Sequence, residues 1–181
     1  MNINESVGDL MYCAKKAAEK LRDVVKVSDK PEETWGMRQE PQMVSETYFL
    51  LREKGYKIEE LYLEYYYRKV ENGNSKRLEA DLVFKDDIST HIVEFKVFWN
   101  GHVNKNGKLS PSPQTTIREE YSKLRNYSSF DNVAELSLIA AFLGPNSLYH
   151  KEAYDNSVME SFDNQTGFKG IRGQTINVIP C

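Results

Sequence analysis

Histidine and cysteine are scarce in this chain: His91, His102 and His150 stand far apart, and Cys13 and Cys181 lie near opposite ends. Such spacing offers no paired-ligand pattern for zinc. One disulfide is possible in principle, but in a reducing compartment two free thiols are expected. Long hydrophobic runs are missing too. The longest, Leu136 to Leu143, is interrupted by Ser137 and falls well short of the roughly 18 residues of a membrane span. The start, Met-Asn-Ile-Asn-Glu-Ser, lacks the basic-then-apolar layout of a secretory signal, so the expectation is a cytoplasmic protein with no membrane association. An excess of positive charge is also absent. The net charge of −3 and pI near 5.7 exclude a uniformly basic nucleic-acid binder. A carboxylate cluster would itself add negative charge, and a local basic patch can coexist with an acidic whole.

What remains is ordinary globular material. The 181 residues are 40% hydrophobic and 28% charged, enough for one domain with a real core. Ser6 to Lys26 reads as a helix, with Leu10, Ala14, Ala17, Leu21, Val24 and Val25 at helical spacing. A charged linker with Pro31 and Gly36 follows. Pro41 suits the first turn of a second helix that runs to about Lys54 and stops at Gly55. Three strands are expected next, over Ile58–Val70, Leu78–Phe84 and His91–Trp99, separated by Asn72-Gly73-Asn74 and Lys85-Asp86-Asp87. A loop from Asn100 to Pro113 leads to a helix over Gln114–Tyr127, then a buried strand over Glu135–Leu143. A short helix near Ala153–Phe162 and a strand near Gln174–Ile179 close the chain. The class expected is α/β, a central mixed sheet flanked by helices. Residues 1–40 would form an N-terminal helix and linker, 41–143 the core and 144–181 an extension.

The chemistry-bearing pattern sits on the third strand. Side chains alternate across a sheet, so Glu94 and Lys96 share one face, with Cα atoms about 6.6 Å apart, while Val93, Phe95 and Val97 take the other. Glu94-Phe95-Lys96 is the only acidic-x-Lys triplet in the chain. On the second strand the same alternation puts Leu78, Ala80, Leu82 and Phe84 on one face and Glu79, Asp81 and Val83 on the other. A turn between these strands lets Asp81 approach Glu94. Two carboxylates so placed repel unless a cation lies between them, and Mg²⁺ favours such oxygen ligands. Glu46, on the preceding helix beside Met43, Thr47 and Leu50, borders the packed face and is within reach of a metal-bound water. The competing reading is an ordinary cross-strand ion pair between Glu94 and Lys96, with Asp81 and Glu46 merely solvated.

Asp81 followed by Glu94-Phe95-Lys96 across a hairpin, with a helical glutamate upstream, resembles the PD-(D/E)xK nuclease superfamily over roughly Pro41 to Leu143. The resemblance implies a restriction-endonuclease-like core. Asp81, Glu94 and the Phe95 carbonyl would bind Mg²⁺, which Mn²⁺ can replace. Lys96 would orient the attacking water, and Glu46 would match the acidic residue many members carry on the first core helix. Ala80 stands where the name-giving proline would be. The implied activity is metal-dependent hydrolysis of phosphodiester bonds, in DNA rather than RNA, in restriction or another defence system. A homodimer would supply the two sites that two-strand cleavage needs.

Further candidates for nucleic-acid contact are Lys105 and Lys108 in the loop, and Gln114, Arg118 and Lys123 on the helix after the catalytic strand. Solvated surface charge explains these equally well. His91 reads as structural. Tyr65-Tyr66-Tyr67 offers base stacking or simple strand packing, and Lys169 and Arg172 flank glycines in a further basic segment. Two rivals stand beside the nuclease. One is a catalytically inactive nuclease-fold module that binds nucleic acid or protein. The other is an oligomerising protein assembled through the Leu10–Val25 stripe.

Overall fold

The structure, a computed structural model, describes residues 3–26, 39–71, 74–85, 89–98, 111–127, 133–143 and 171–178. Among the described residues three helices and five strands follow one another as α1 (Ile3–Lys26), α2 (Gln39–Glu53), β1 (Leu61–Glu71), β2 (Asn74–Lys85), β3 (Thr90–Phe98), α3 (Pro111–Tyr127), β4 (Val133–Leu143) and β5 (Ile171–Val178). The class is mixed α/β, as expected. The strands form one open sheet in the order β1-β2-β3-β4-β5. β1, β2 and β3 pair antiparallel, and β3, β4 and β5 pair parallel. Parallel neighbours need a crossover, and α3 supplies it between β3 and β4. α2 ends where Gly55 takes φ +103°, a left-handed conformation that glycine adopts without a Cβ penalty.

The sheet carries a core on each face. On one side Leu10, Cys13, Ala14, Ala17 and Leu21 of α1 and Met43, Val44 and Leu51 of α2 pack with Leu82, Phe84, Val93, Phe95, Ile139 and Ala141. On the other side Ile117, Tyr121, Leu124 and Tyr127 of α3 pack with Leu78, Ala80, Val83, Ile92, Leu138 and Ala140. From Leu10 to Leu21 the apolar stripe of α1 is therefore covered by its own chain, as it is in an ordinary core helix. That part of the stripe is not available for assembly. α1 and β5, which lie outside 41–143, join the same core and the same sheet.

One expectation about β2 is overturned. Leu78, Ala80, Leu82 and Phe84 do not share a face: the first two meet α3, the last two meet α1 and α2. The change falls at Asp81. In the β1–β2 ladder Leu63 pairs with Leu82 and Tyr65 with Ala80, while Glu64 and Asp81 between them are unpaired. Glu64 has φ +49°, strained for a residue with a side chain. This irregularity resets the alternation of both strands. The β2–β3 ladder also stops next to it, at Leu82–Val93.

The short helix expected near Ala153–Phe162 and the loop residues Lys105 and Lys108 lie outside the described residues. So do Lys169 and Cys181. Of Gln114 and Arg172 only the backbone is described. No helix among the described residues is long and apolar enough to cross a membrane.

Candidate active site

Where the β2–β3 ladder ends, a side chain takes over from the backbone. Oδ2 of Asp81 accepts a 2.7 Å hydrogen bond from the amide of Phe95. A carboxylate thus holds the strand that carries Glu94 and Lys96, and the irregularity at Asp81 is what frees it to do so. Strand alternation then aims Glu94 at the α3 side of the sheet, with Phe95 buried on the opposite side. Glu94 is 0% exposed. A buried carboxylate needs a counter-charge, and α3 provides one: Lys123 Nζ lies 2.7 Å from Glu94 Oε2. No hydrogen bond of normal geometry reaches Oε1, which is also buried.

Lys96 lies next along the same face. Its ammonium is 2.7 Å from Glu40 Oε1, in the first turn of α2, and 3.2 Å from Glu120 Oε1 on α3. Glu120 Oε2 is also 3.6 Å from Lys123 Nζ. Four carboxylates (Glu40, Asp81, Glu94, Glu120) and two ammoniums (Lys96, Lys123) are therefore gathered from β2, β3, α2 and α3, with acid in excess.

The electrostatics follow from that excess. Burial pushes the Glu94 carboxyl well above the ordinary carboxylate range, the Asp81 charge pushes the same way, and Lys123 opposes both. Burial likewise raises Glu40 against the pull of Lys96. Burial disfavours the charge on Lys96 and on Lys123, but the surrounding carboxylates outweigh it and hold both ammoniums above their usual value. The Tyr127 phenol is raised first by burial and then by the neighbouring Glu94 carboxylate.

Asp81, Glu94 and Lys96 are brought together as the sequence pattern indicates. Glu46 is not with them: its carboxylate pairs with Lys20 of α1. The α2 carboxylate on Lys96 is Glu40. Six residues separate the two, which at 3.6 residues per turn turns them about 120° apart around the helix, so one faces α1 while the other faces the site. The sequence does not single out Glu120, and it reads Lys123 as a nucleic-acid contact or a solvated surface charge. Both flank the Ile117-Tyr121-Leu124 row of α3, and a helix laid on the Glu94 face must present such border residues to it. Arg118 is exposed on the same helix. His91 is structural, its Nε2 2.9 Å from Ser137 Oγ and its ring stacked on Phe84. Tyr65 and Tyr67 extend an edge-to-face series from Tyr62 to Tyr127.

Among the described residues no group of three or more His, Cys, Asp or Glu side chains is arranged to hold a metal. The oxygen donors on offer are the carboxylates of Asp81 and Glu94 and the carbonyl of Phe95, the residue after Glu94. Such a set suits a cation that keeps several waters and takes only one or two carboxylates, which is the habit of Mg²⁺. No family model, curated protein or solved structure matches the chain.

Proposed function

We propose that the protein is a Mg²⁺-dependent nuclease that hydrolyses phosphodiester bonds in nucleic acid, DNA in preference to RNA. The observation that carries this reading is the placement of Asp81 at the end of the β2–β3 ladder, holding the amide of Phe95 beside a fully buried Glu94 with Lys96 two residues on. Asp81, Glu94 and the Phe95 carbonyl would hold the cation. When bound, Mg²⁺ supplies a water of lowered pKa and neutralises charge on the phosphoryl oxygens. Lys96, kept protonated by Glu40 and Glu120, contributes as a fixed cation: it orients a water by donating to it and stabilises negative charge developing on phosphate. It is not a general base in that state. Glu40 positions Lys96 through their 2.7 Å contact. The helix–three-strand–helix–strand order agrees with the restriction-endonuclease-like resemblance, and a restriction or other defence role fits it.

A second reading is favoured by one observation: Lys96 and Lys123 are already paired with carboxylates, so the cluster also makes sense as a closed ionic network. On that reading the chain is a non-catalytic module. Incubation of the whole protein with plasmid, linear duplex, single-stranded DNA and RNA, with Mg²⁺, Mn²⁺ or EDTA, separates the two. Metal-dependent cleavage lost in Asp81→Asn supports the nuclease. Intact substrates under every metal, with no thermal stabilisation by Mn²⁺, defeat it.

A further inference from the structure

The ammonium of Lys123 is the counter-charge of the buried Glu94, 2.7 Å from Oε2. It reaches that carboxylate from the rim of the site. The Lys123 side chain is 28% exposed where that of Glu94 is 0%, and it also lines a groove of about 500 Å³ between β2 and α3. One side chain therefore touches the buried carboxylate and opens onto solvent.

α3 offers this lysine two glutamates that are neighbours in sequence. Glu120 is on the inner side, 3.6 Å from the Lys123 ammonium and 3.2 Å from that of Lys96. Glu119 is exposed and lines the groove beside Lys123. Residues at i and i+4 adjoin on a helix surface, and glutamate N-terminal to lysine is the favourable order. Among the described residues no ion pair engages Glu119. Lys123 thus has one set of acceptors in the site and another outside it, both within reach of a helix that stays where it is.

The two sets matter because Glu94 cannot stand bare. A buried carboxylate stripped of its partner is strongly unfavourable, and the carboxylates of Asp81 and Glu120 act on it as well. A divalent ion on Glu94 supplies a larger counter-charge than an ammonium and repels the ammonium already there. We propose that Lys123 is a tethered counter-ion of the metal site, neutralising Glu94 in the metal-free protein and passing to Glu119, on the groove side of α3, when a divalent cation binds. The inference rests on the reading of Asp81 and Glu94 as metal ligands. It follows that wild type holds its cation more weakly than its carboxylates alone allow, because each binding event breaks the Lys123–Glu94 pair.

The test is Mn²⁺ binding to the full-length protein, read from the electron paramagnetic resonance signal of the free ion with no nucleic acid present. Wild type should bind, and Asp81→Asn should bind about tenfold or more weakly, which places the ion in the site. Lys123→Met keeps the aliphatic stem without the charge and should bind Mn²⁺ about tenfold more tightly. Glu119→Gln removes the outer partner and should bind about twofold more weakly. In the double variant the Glu119→Gln effect should vanish, since no lysine is left to receive. Arg118→Gln removes an exposed cation from the same helix and should stay close to wild type, which separates exchange from a general field effect. Melting by circular dichroism checks each fold. If Lys123→Met does not fold, Glu119→Gln carries the test.

Unchanged or weaker binding by Lys123→Met overturns the inference. So does unchanged binding by Glu119→Gln, a Glu119→Gln loss that persists in the double variant, or a gain in Arg118→Gln equal to that in Lys123→Met. Wild-type binding that neither the Lys123 nor the Glu119 substitution alters sinks the exchange and leaves the metal site standing. Binding gained only on removal of Lys123 supports the exchange, with the lysine holding the wild-type site shut. No Mn²⁺ binding by wild type or any variant sinks the metal site itself, and the exchange with it.

Discussion

Asp81 accepts from the Phe95 amide through one oxygen and is proposed to hold the metal through its charge, and a substitution can separate the two roles. Asp81→Asn keeps an oxygen to accept from the Phe95 amide and removes the charge proposed for the metal. Cleavage should fall about 100-fold or more, with the melting temperature close to wild type; wild-type rates in Mg²⁺ would remove Asp81 from the mechanism. The two glutamates of α2 make a second contrast. Glu40→Gln loosens the hold on Lys96 and should slow cleavage about tenfold, whereas Glu46→Gln breaks only a surface pair with Lys20 and should leave the rate unchanged. Equal losses from both would mean that Glu46 reaches the site after all. At this scale the sequence discloses residues whose neighbours are fixed by alternation, as in Glu94-Phe95-Lys96. It does not disclose which of two glutamates on one helix faces the sheet, because that depends on how the helix is rolled. The α2 stripe actually buried is Met43, Val44, Thr47 and Leu51, and Glu40 enters the site by standing in the first turn.

At the scale of elements, the type and order of the described helices and strands were legible because each apolar period is long and turn residues mark the boundaries. The face assignment of β2 was not. Strict alternation from Leu78 to Phe84 looks regular in sequence, and nothing there shows that Glu64 on the neighbouring strand takes φ +49°. Glutamate is not a residue whose presence announces that conformation. Gly55, by contrast, is a stop signal visible in the sequence. A Cβ added there meets nothing within 4 Å, so the cost of Gly55→Ala is conformational alone, about 1 kcal/mol or more at φ +103°. Urea denaturation should show that loss, and an unchanged midpoint would mean that the turn relaxes to negative φ.

For the whole molecule, α1 is structural. Leu10 is 0% exposed within the core shared by α1, α2 and the sheet, so Leu10→Ala should cost about 2–5 kcal/mol in urea denaturation. A change under about 1 kcal/mol would mean that α1 docks only loosely. Cys13 beside it is a free, buried thiol pushed up to about 11 by burial, inert as a nucleophile at neutral pH. The outer edge of the same helix is fastened by Asp9, whose carboxylate is 2.7 Å from Lys54 Nζ and 3.0 Å from the Tyr56 hydroxyl. The hydrogen bond from Lys54 holds the Asp9 carboxyl below its ordinary value, against some desolvation. A folded-state pKa below the unfolded one, about 3.9, contributes stability above the unfolded value and loses it as pH falls through the folded value. Both partners are about one-third exposed, so solvent screening keeps the contribution small. Asp9→Asn retains an acceptor for Tyr56 but loses the charge. It should therefore melt below wild type at pH 7, and the gap should narrow as pH falls through the folded-state value of the wild-type carboxylate. A gap that stays the same size across that fall would show that Asp9 fastens α1 by hydrogen bonding alone.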